Sequence, residues 1–367
     1  MLTRAEILLA SVPSNSRIIE IGASFNPIAP KSQGWNTATL DHMTRENLVA
    51  KYKAHPAVDV RMIEEVDFVW TGGAMSAAVP LEQHGSFDVF LASHVIEHSP
   101  DLIDFLDAAA TLLKPDGVVI LAVPDKRYCF DYFQQITTTG QVLDAHLKDR
   151  RRHTGAIAFD HFAYAVTDGG AEAWGHRPSQ GIELILGLEA SRQHYGLLED
   201  SSTYTDLHAW HFVPSSFELL LLELAFLGET DWRVERLSPT PGCEFFAWLR
   251  RGAGAEIQAM PQEMLQSRRV ALLKHTLLET QAQIDWLLAS EPELTPPPAF
   301  AGSALAKSQE EVASLRTRLA AMERQYAAAT QRVEALEIST VWRASLPIRT
   351  LVDWLRRAMA NLTQLAK

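Results

Sequence analysis

Cysteine is nearly absent: Cys129 and Cys243 are the only two in 367 residues, far apart and in unrelated contexts. That excludes a disulfide framework and a cysteine-built zinc site, and it fits a reducing compartment. No apolar run approaches the roughly 18 residues that a membrane-spanning helix needs. The opening MLTRAEILLASV holds one Arg, an internal Glu and no small-x-small cleavage signal, which reads against a secretory leader. Basic residues are in the minority, 33 Lys and Arg against 45 Asp and Glu, for a net charge of −12. Phosphate neutralisation requires a basic face, so nucleic acid is not an expected partner. What remains is a globular composition, 47% hydrophobic and 21% charged. It fits a cytoplasmic protein, soluble or at most peripheral to the inner membrane.

The apolar periodicity divides the chain. From residue 17 to about 125, short strand-like runs alternate with helical stretches, the pattern of βαβ units in a parallel sheet. Strands are expected at 17–21, 37–40, 58–63, 88–92 and 118–123. A helix over 100–113 should stop at Lys114-Pro115-Asp116-Gly117. Between about 126 and 215 the periodicity weakens, and aromatic, His, Asp and Arg residues become dense. An apolar helix over 215–227 and two strands, 232–236 and 244–249, then close the domain at about residue 255. A turn containing Pro239, Pro241 and Gly242 joins the two strands.

Residues 262–289 read as a long amphipathic helix, and the stretch 256–302 ends in a break carrying Pro292, Pro296, Pro297 and Pro298. In 303–337, Val312, Leu315, Leu319, Met322, Tyr326, Ala329, Val333 and Leu336 alternate spacings of three and four. That is the a/d seam of a coiled coil, which predicts a homo-oligomer; a helix packed back on its own domain is the alternative. The tail 338–367 carries Arg343, Arg349, Arg356, Arg357 and Lys367 against Asp353 alone. With Trp342, Leu346, Leu351, Trp354 and Leu355 it reads as a basic amphipathic helix for a membrane surface or a protein partner.

Chemistry-bearing residues fall at the ends of the expected strands. Glu20-Ile21-Gly22-Ala23-Ser24 follows the first; a glycine there lets a turn bring backbone amides close to a ligand. Asp41 ends the second strand, nineteen positions after Gly22, where a carboxylate can accept from both hydroxyls of a ribose. Asp67 lies beyond the third strand. Ser93-His94-Val95-Ile96-Glu97-His98 ends the fourth. Leu112-Leu113-Lys114-Pro115-Asp116-Gly117 leads into the fifth.

In this order the blocks resemble class I S-adenosylmethionine-dependent methyltransferases of the small-molecule and glycan type. The resemblance covers about residues 17–125, and the closing strand pair is similar to that family's antiparallel last strands. It implies an α/β, Rossmann-like fold: a seven-stranded, mostly parallel sheet, a helical insertion after strand five that covers the acceptor, and here a C-terminal helical coiled coil. It also implies Glu20 and Gly22 near the methionine part of the cofactor, Asp41 on the ribose, Asp67 near the adenine, and Ser93 lining the pocket. Ser24 and Asn26 stand where later glycines are usual, so Ser24 joins the expected cofactor loop. An NAD-linked oxidoreductase competes for the same glycine and acid, but the short loop and the downstream blocks count against it.

An oxygen acceptor benefits from a general base or a metal ion. His94, Glu97 and His98, spaced as on one helical face, could share a divalent ion or make capping and loop contacts. The same H-x-x-E-H string occurs in an inverted zinc-protease motif, which does not sit after a Rossmann strand. Similar arrangements on quinone-pathway O-methyltransferases suggest a quinone or lipid acceptor as one alternative. A second cluster comprises Asp125, Arg127, Tyr128, His146, His153, Asp160, His161, Asp206, His208 and His211. Asp125, directly after strand five, is the first choice there for a catalytic residue, with His94 and His161 beside it.

The mixture of aromatic faces and short polar groups suits a sugar or glycan acceptor. The tail segment Ser339-Thr340-Val341-Trp342-Arg343 with Leu346-Pro347-Ile348-Arg349 resembles tails of bacterial surface-polysaccharide glycosyltransferases. That places a glycosyltransferase assembly or the membrane surface among the expected partners. A methyltransferase-like scaffold acting through its coiled coil and tail is the rival of a different class.

Overall fold

Three of the five residues of β1 (Arg17–Ile21) are isoleucine, and Ile18, Ile19 and Ile21 are all buried. Such a run belongs to a strand covered on both faces, and β1 lies in the interior of the sheet, between β2 and β4. The computed structural model describes residues 2–55, 58–175, 181–201, 204–239, 242–252, 254–290, 312, 314–316, 318–319 and 321–322. β1 pairs in parallel with β2 (Asn36–Asp41) on one side, and β2 with the two-residue β3 (Phe68–Val69). On its other side β1 pairs in parallel with β4 (Phe87–Ser93), and β4 with β5 (Leu113–Pro124).

A small antiparallel sheet follows, made of β6 (Val166–Asp168), β7 (Ala171–Glu172) and β8 (Ile182–Leu184). The chain then returns to the main sheet as β9 (Arg233–Leu237) and β10 (Glu244–Arg250). β10 runs antiparallel to both β5 and β9. The seven-stranded order is β3-β2-β1-β4-β5-β10-β9, the expected mostly parallel sheet with a reversed end.

In chain order the named helices are α1 (Arg4–Leu9), α2 (Arg45–Tyr52), α3 (Leu102–Leu112), α4 (Thr139–Leu147), α5 (Gly155–Tyr164), α6 (Leu188–Glu199), α7 (Pro214–Leu227), α8 (Gly254–Gln258) and α9 (Gln262–Ser290). Alternate residues of the strands feed the two faces of the sheet. Ile19, Ile21, Phe90, Leu121 and Phe245 join one core with α3 (Leu102–Leu112) and α7 (Pro214–Leu227). Ile18, Leu91, Ile120, Phe246 and Trp248 join the other, closed by Leu8 and Leu9 of α1 (Arg4–Leu9). α3 starts where Asp101 accepts from the backbone N–H groups of Ile103 and Asp104, at 2.9 and 3.2 Å. α7 stops at Gly228, whose φ of 82° is the left-handed cap that glycine adopts without strain.

Two expectations are corrected. Residues 58–63 form no strand: Val60–Met62 is a single 3₁₀ turn, and the third strand comes later, at Phe68–Val69. Asp59 accepts from the backbone N–H of Arg61 at 3.0 Å and from its guanidinium, a local bond that replaces a ladder bond. The first compact unit runs through Pro292 and does not close at about residue 255. The 29-residue α9 (Gln262–Ser290) accounts for this, because Leu265 and Leu272 join Leu222 and Ala225 of α7 in one buried cluster. Arg268–Glu218 and Arg269–Glu223 pairs, at 3.0 and 2.7 Å, flank that seam.

In the second unit, Glu293–Lys367, Val312, Leu315, Leu319 and Met322 are helical and exposed. The rest of the heptad seam, the triple proline and the tail 338–367 lie outside the described residues. Among the described residues no helix is long and apolar enough to cross a membrane.

Candidate active site

A cavity of about 760 Å³ opens at the C-terminal ends of β1, β2 and β4. Ligands of open α/β sheets bind at that edge, and the volume falls in the range of small-molecule sites. Glu20, Gly22, Ser24, Asp41, Ser93, His94 and His98 all line it. The insertion supplies the opposite wall, including Arg150, Arg151, Glu172, Trp174, Tyr204 and Asp206.

The loop after β1 is built for a close approach. Gly22 has a φ of 64°, and a Cβ there would stand 2.8 Å from Val95 Cγ2. Its N–H donates to Leu40 O at 2.8 Å, which draws the turn against β2. Glu20, buried, accepts from the backbone N–H groups of Ile28 and Ala29 at 2.6 and 3.0 Å, so it shapes the loop. Burial pushes its carboxyl up to about 7 against the pull of those two bonds. Asp41 accepts from the N–H of Ser24 at 3.2 Å and of His42 at 2.7 Å. Ser24 is itself left-handed, with a φ of 47°, and its buried hydroxyl has no hydrogen-bond partner. A glycine cradle and an orphaned hydroxyl beside a carboxylate fit a ligand that carries ribose hydroxyls.

At the end of β4 the expected helical face does not form. His94 adopts a φ of 54°, and the next turn, Ile96–His98, is 3₁₀. The reversal sends His94 away from Glu97, and its Nε2 meets Glu244 Oε2, at the start of β10, at 2.8 Å. Arg4 of α1 reaches the same carboxylate and also donates to Ser93 Oγ. Burial alone would raise the Glu244 carboxyl, but the bonds from His94 and Arg4 hold it below its ordinary value. A left-handed non-glycine residue is costly, and such strain concentrates at functional sites. His94 has this conformation and lines the cavity.

Three expected site residues lie elsewhere. Asp67 does not line the cavity: it receives Lys31 Nζ and the backbone N–H of Thr39, behind the sheet edge. Asp125 is fully buried and bound to Arg127 Nε at 2.8 Å, and Arg127 in turn reaches the Glu279 carbonyl of α9. That arrangement holds structure together, and Asp125 does not line the cavity. His161, on α5 (Gly155–Tyr164), is walled in by Phe130 and Phe162. Burial, reinforced by His208, pushes its imidazole down to about 3. The proposed trio His94, Glu97 and His98 is also divided, since only the last two face each other, at 3.8 Å.

Sequence reasoning missed Arg4, Trp174 and Glu244 as cavity residues. Arg4 and Glu244 lie outside every motif and arrive by strand and helix packing. Trp174 comes beside β7, and its ring lies 5.5 Å from that of His94. The cavity also exposes Cys243, but burial lifts its thiol to about 11, which removes it as a nucleophile near neutrality.

The family model described as a methyltransferase domain matches residues 4–174. A curated ubiquinone biosynthesis O-methyltransferase of Rhodopseudomonas palustris is 36% identical over 78 residues, 21% of this chain. The chain spans about a quarter of the length of the curated relatives it matches, 25% of that protein. Among solved structures, the CcbJ methyltransferase of Streptomyces caelestis is 14% identical, over 68% of this chain and 94% of that one, with a TM-score of 0.35. An S-adenosylmethionine-dependent methyltransferase of Mesorhizobium loti is 13% identical, over 67% and 98%, with a TM-score of 0.33. Residues 4–174 therefore match a methyltransferase domain, and the strand order and the loop after β1 suit the cofactor that such a domain implies, S-adenosylmethionine.

Proposed function

We propose that the chain is an S-adenosylmethionine-dependent O-methyltransferase whose acceptor is a sugar or another polyhydroxylated glycan intermediate. One observation carries the reading: the Gly22 turn, Asp41 and the His94–Glu244 pair all converge on a single cavity. The bound cofactor supplies an electrophilic methyl group on a sulfonium. The chain's own share is alignment, exclusion of water and removal of the acceptor proton.

Gly22 and Ser24 shape the donor side, with Asp41 as the acceptor for ribose hydroxyls. His94 donates Nε2–H to Glu244, which leaves Nδ1 as the atom that takes a proton from the acceptor hydroxyl. The ionised Glu244 holds the ring's orientation and favours the imidazolium that then forms, the logic of an acid–imidazole pair. On the acceptor side, Trp174 and Tyr204 offer aromatic faces, and Arg150, Arg151, Glu172 and Asp206 offer polar partners for several hydroxyls. The heptad seam would pair chains, and the basic tail would bring them to a membrane surface or a glycosyltransferase.

A second reading, a quinone-type phenolic acceptor, is favoured by the short stretch of identity to the ubiquinone O-methyltransferase.

The test is calorimetric titration of S-adenosylmethionine and S-adenosylhomocysteine into wild type and Asp41→Ala. Micromolar-range binding by wild type, weakened at least tenfold by the substitution, supports the donor site. Sugar and catechol acceptors, compared by S-adenosylhomocysteine release, then separate the two acceptor classes. A folded wild-type chain that binds neither ligand sinks the enzyme and leaves the scaffold reading.

A further inference from the structure

Behind the cavity wall lies an arrangement that the donor site does not use. Glu97 is 1% exposed, and neither of its carboxylate oxygens has a hydrogen-bond partner. A buried carboxylate without a donor is an unstable arrangement unless something else supplies positive charge. Two imidazoles face it: Nε2 of His98 stands 3.8 Å from Oε1, and Nε2 of His208 stands 3.9 Å from the same oxygen. These gaps are too long for hydrogen bonds. They are close to the ligand-to-ligand spacing of about 3.4 Å that tetrahedral coordination at 2.0–2.2 Å produces.

Both rings are also held from behind. His208 Nδ1 is hydrogen-bonded to Asp131 Oδ2 at 2.5 Å, and His98 Nδ1 lies 2.9 Å from Asp206 Oδ1, a charge contact without hydrogen-bond alignment. A carboxylate on one ring nitrogen fixes the tautomer and turns the other nitrogen toward an ion. The main chain ties the two halves together, because the Glu97 carbonyl accepts from the N–H groups of Ala209 and Trp210 at 2.7 and 3.3 Å. Phe130, with its ring 4.6 Å from His208, packs against the same imidazole. Asp131 is also approached by His211 Nε2, at 3.5 Å, and Asp206 by Lys51 Nζ, at 3.6 Å, whereas the Glu97 carboxylate has neither a donor nor a cation within hydrogen-bond reach.

We propose that Glu97, His98 and His208 form a binding site for a first-row divalent transition ion. Two imidazoles and one carboxylate suit zinc, cobalt, manganese or iron better than magnesium or calcium. Of the three, His98 lines the cavity while Glu97 and His208 lie behind it, so the open coordination position faces the ligand space. Given the methyltransferase reading, on which this part rests, that position binds the acceptor hydroxyl and eases its loss of a proton. His94, which the sequence spacing grouped with this set, takes no part.

The test is Co²⁺ titration of the tag-free full chain, stripped with chelator and followed by the visible d–d absorption of the bound ion. Wild type is expected to take up one equivalent. Glu97→Gln and His208→Asn should lose the signal, and Asp131→Asn should weaken uptake about 10–100-fold. His94→Asn should bind as wild type does. So should His146→Asn, which probes the other acid–imidazole group, Asp101, Asp104 and His146.

Far-ultraviolet circular dichroism of each variant reports that it is folded; if Glu97→Gln does not fold, Asp131→Asn carries the test. No stoichiometric uptake by the folded wild type overturns the site, as does uptake that survives Glu97→Gln or Asp131→Asn unchanged or vanishes with His146→Asn. The two readings fail separately. Donor binding without metal uptake removes the ion alone, and metal uptake without donor binding removes the methyltransferase alone.

Discussion

His94 and Glu244, 150 positions apart in sequence, meet Nε2 to Oε2 at 2.8 Å over the end of β5, the strand that separates β4 from β10. The contact forms because His94 takes a left-handed backbone conformation that turns it toward the antiparallel strand. If this pair handles the acceptor proton, Glu244→Gln should lower kcat about 10²–10⁴-fold. S-adenosylhomocysteine affinity should stay within about threefold. Steady-state methyl transfer alongside calorimetry checks both numbers, and a variant with unchanged kcat would remove His94–Glu244 from the mechanism.

Gly22→Ala combines two penalties. The left-handed φ costs a β-carbon about 1–2 kcal/mol, and the new methyl group would press on Val95 Cγ2 at 2.8 Å. We expect a fall in stability of at least that size in urea denaturation, with donor affinity reduced about tenfold or more. A variant as stable as wild type with full affinity would contradict the tight turn.

Glu20 makes stability depend on pH in a stated direction. Its carboxyl titrates at about 7 in the folded chain against 4.5 when free. Between those values the folded chain holds a proton that the unfolded chain has lost. The contribution is therefore complete below about pH 4.5 and is lost as pH rises through about 7, with a ceiling of about 3 kcal/mol. From pH 5 to pH 8, wild type should lose more stability than Glu20→Gln, measured by urea denaturation. Equal losses in the two proteins would show that Glu20 is ionised throughout.

Shortening the chain should separate its two units. Ended at Pro292, the chain should keep its unfolding temperature within about 2 °C and retain donor binding. Ended at Gln258, it loses Leu265 and Leu272 from the cluster on α7, about 3–6 kcal/mol of burial. It also loses Gln283, which holds Lys126 Nζ and the Tyr132 carbonyl. Thermal denaturation of the three lengths compares them, and equal stability would show that α9 is dispensable.

How far the sequence could be read depended on the range of the interactions involved. β1, β4 and β5 were visible because a doubly covered strand must be apolar along its length, and the Gly22–Asp41 pair because strand ends carry fixed chemistry. The 58–63 stretch misled because its alternating pattern resembles a strand while Asp59 and Arg61 satisfy each other locally. His94, Glu97 and His98 were grouped by a helical spacing that two features abolish, the φ of 54° at His94 and the 3₁₀ turn after it. His208 stood out as one of several histidines, but nothing in its neighbours in sequence points to Glu97. Glu244 and Arg4 could not be foreseen, because their partners are set by sheet order and not by spacing.

Arg4 and Glu244, 240 positions apart, share one ion pair at the rim of the cavity. As the chain leaves the ribosome, the parallel strands can assemble long before β10 has been made. The cavity rim must wait for it. A nascent chain ending at residue 174, where the family match stops, would carry the Gly22 turn and Asp41 yet lack the residue that holds Arg4 and His94. Contacts this distant are closed late and slowly in folding. The pocket is thus completed by the last strand of the sheet to be synthesised.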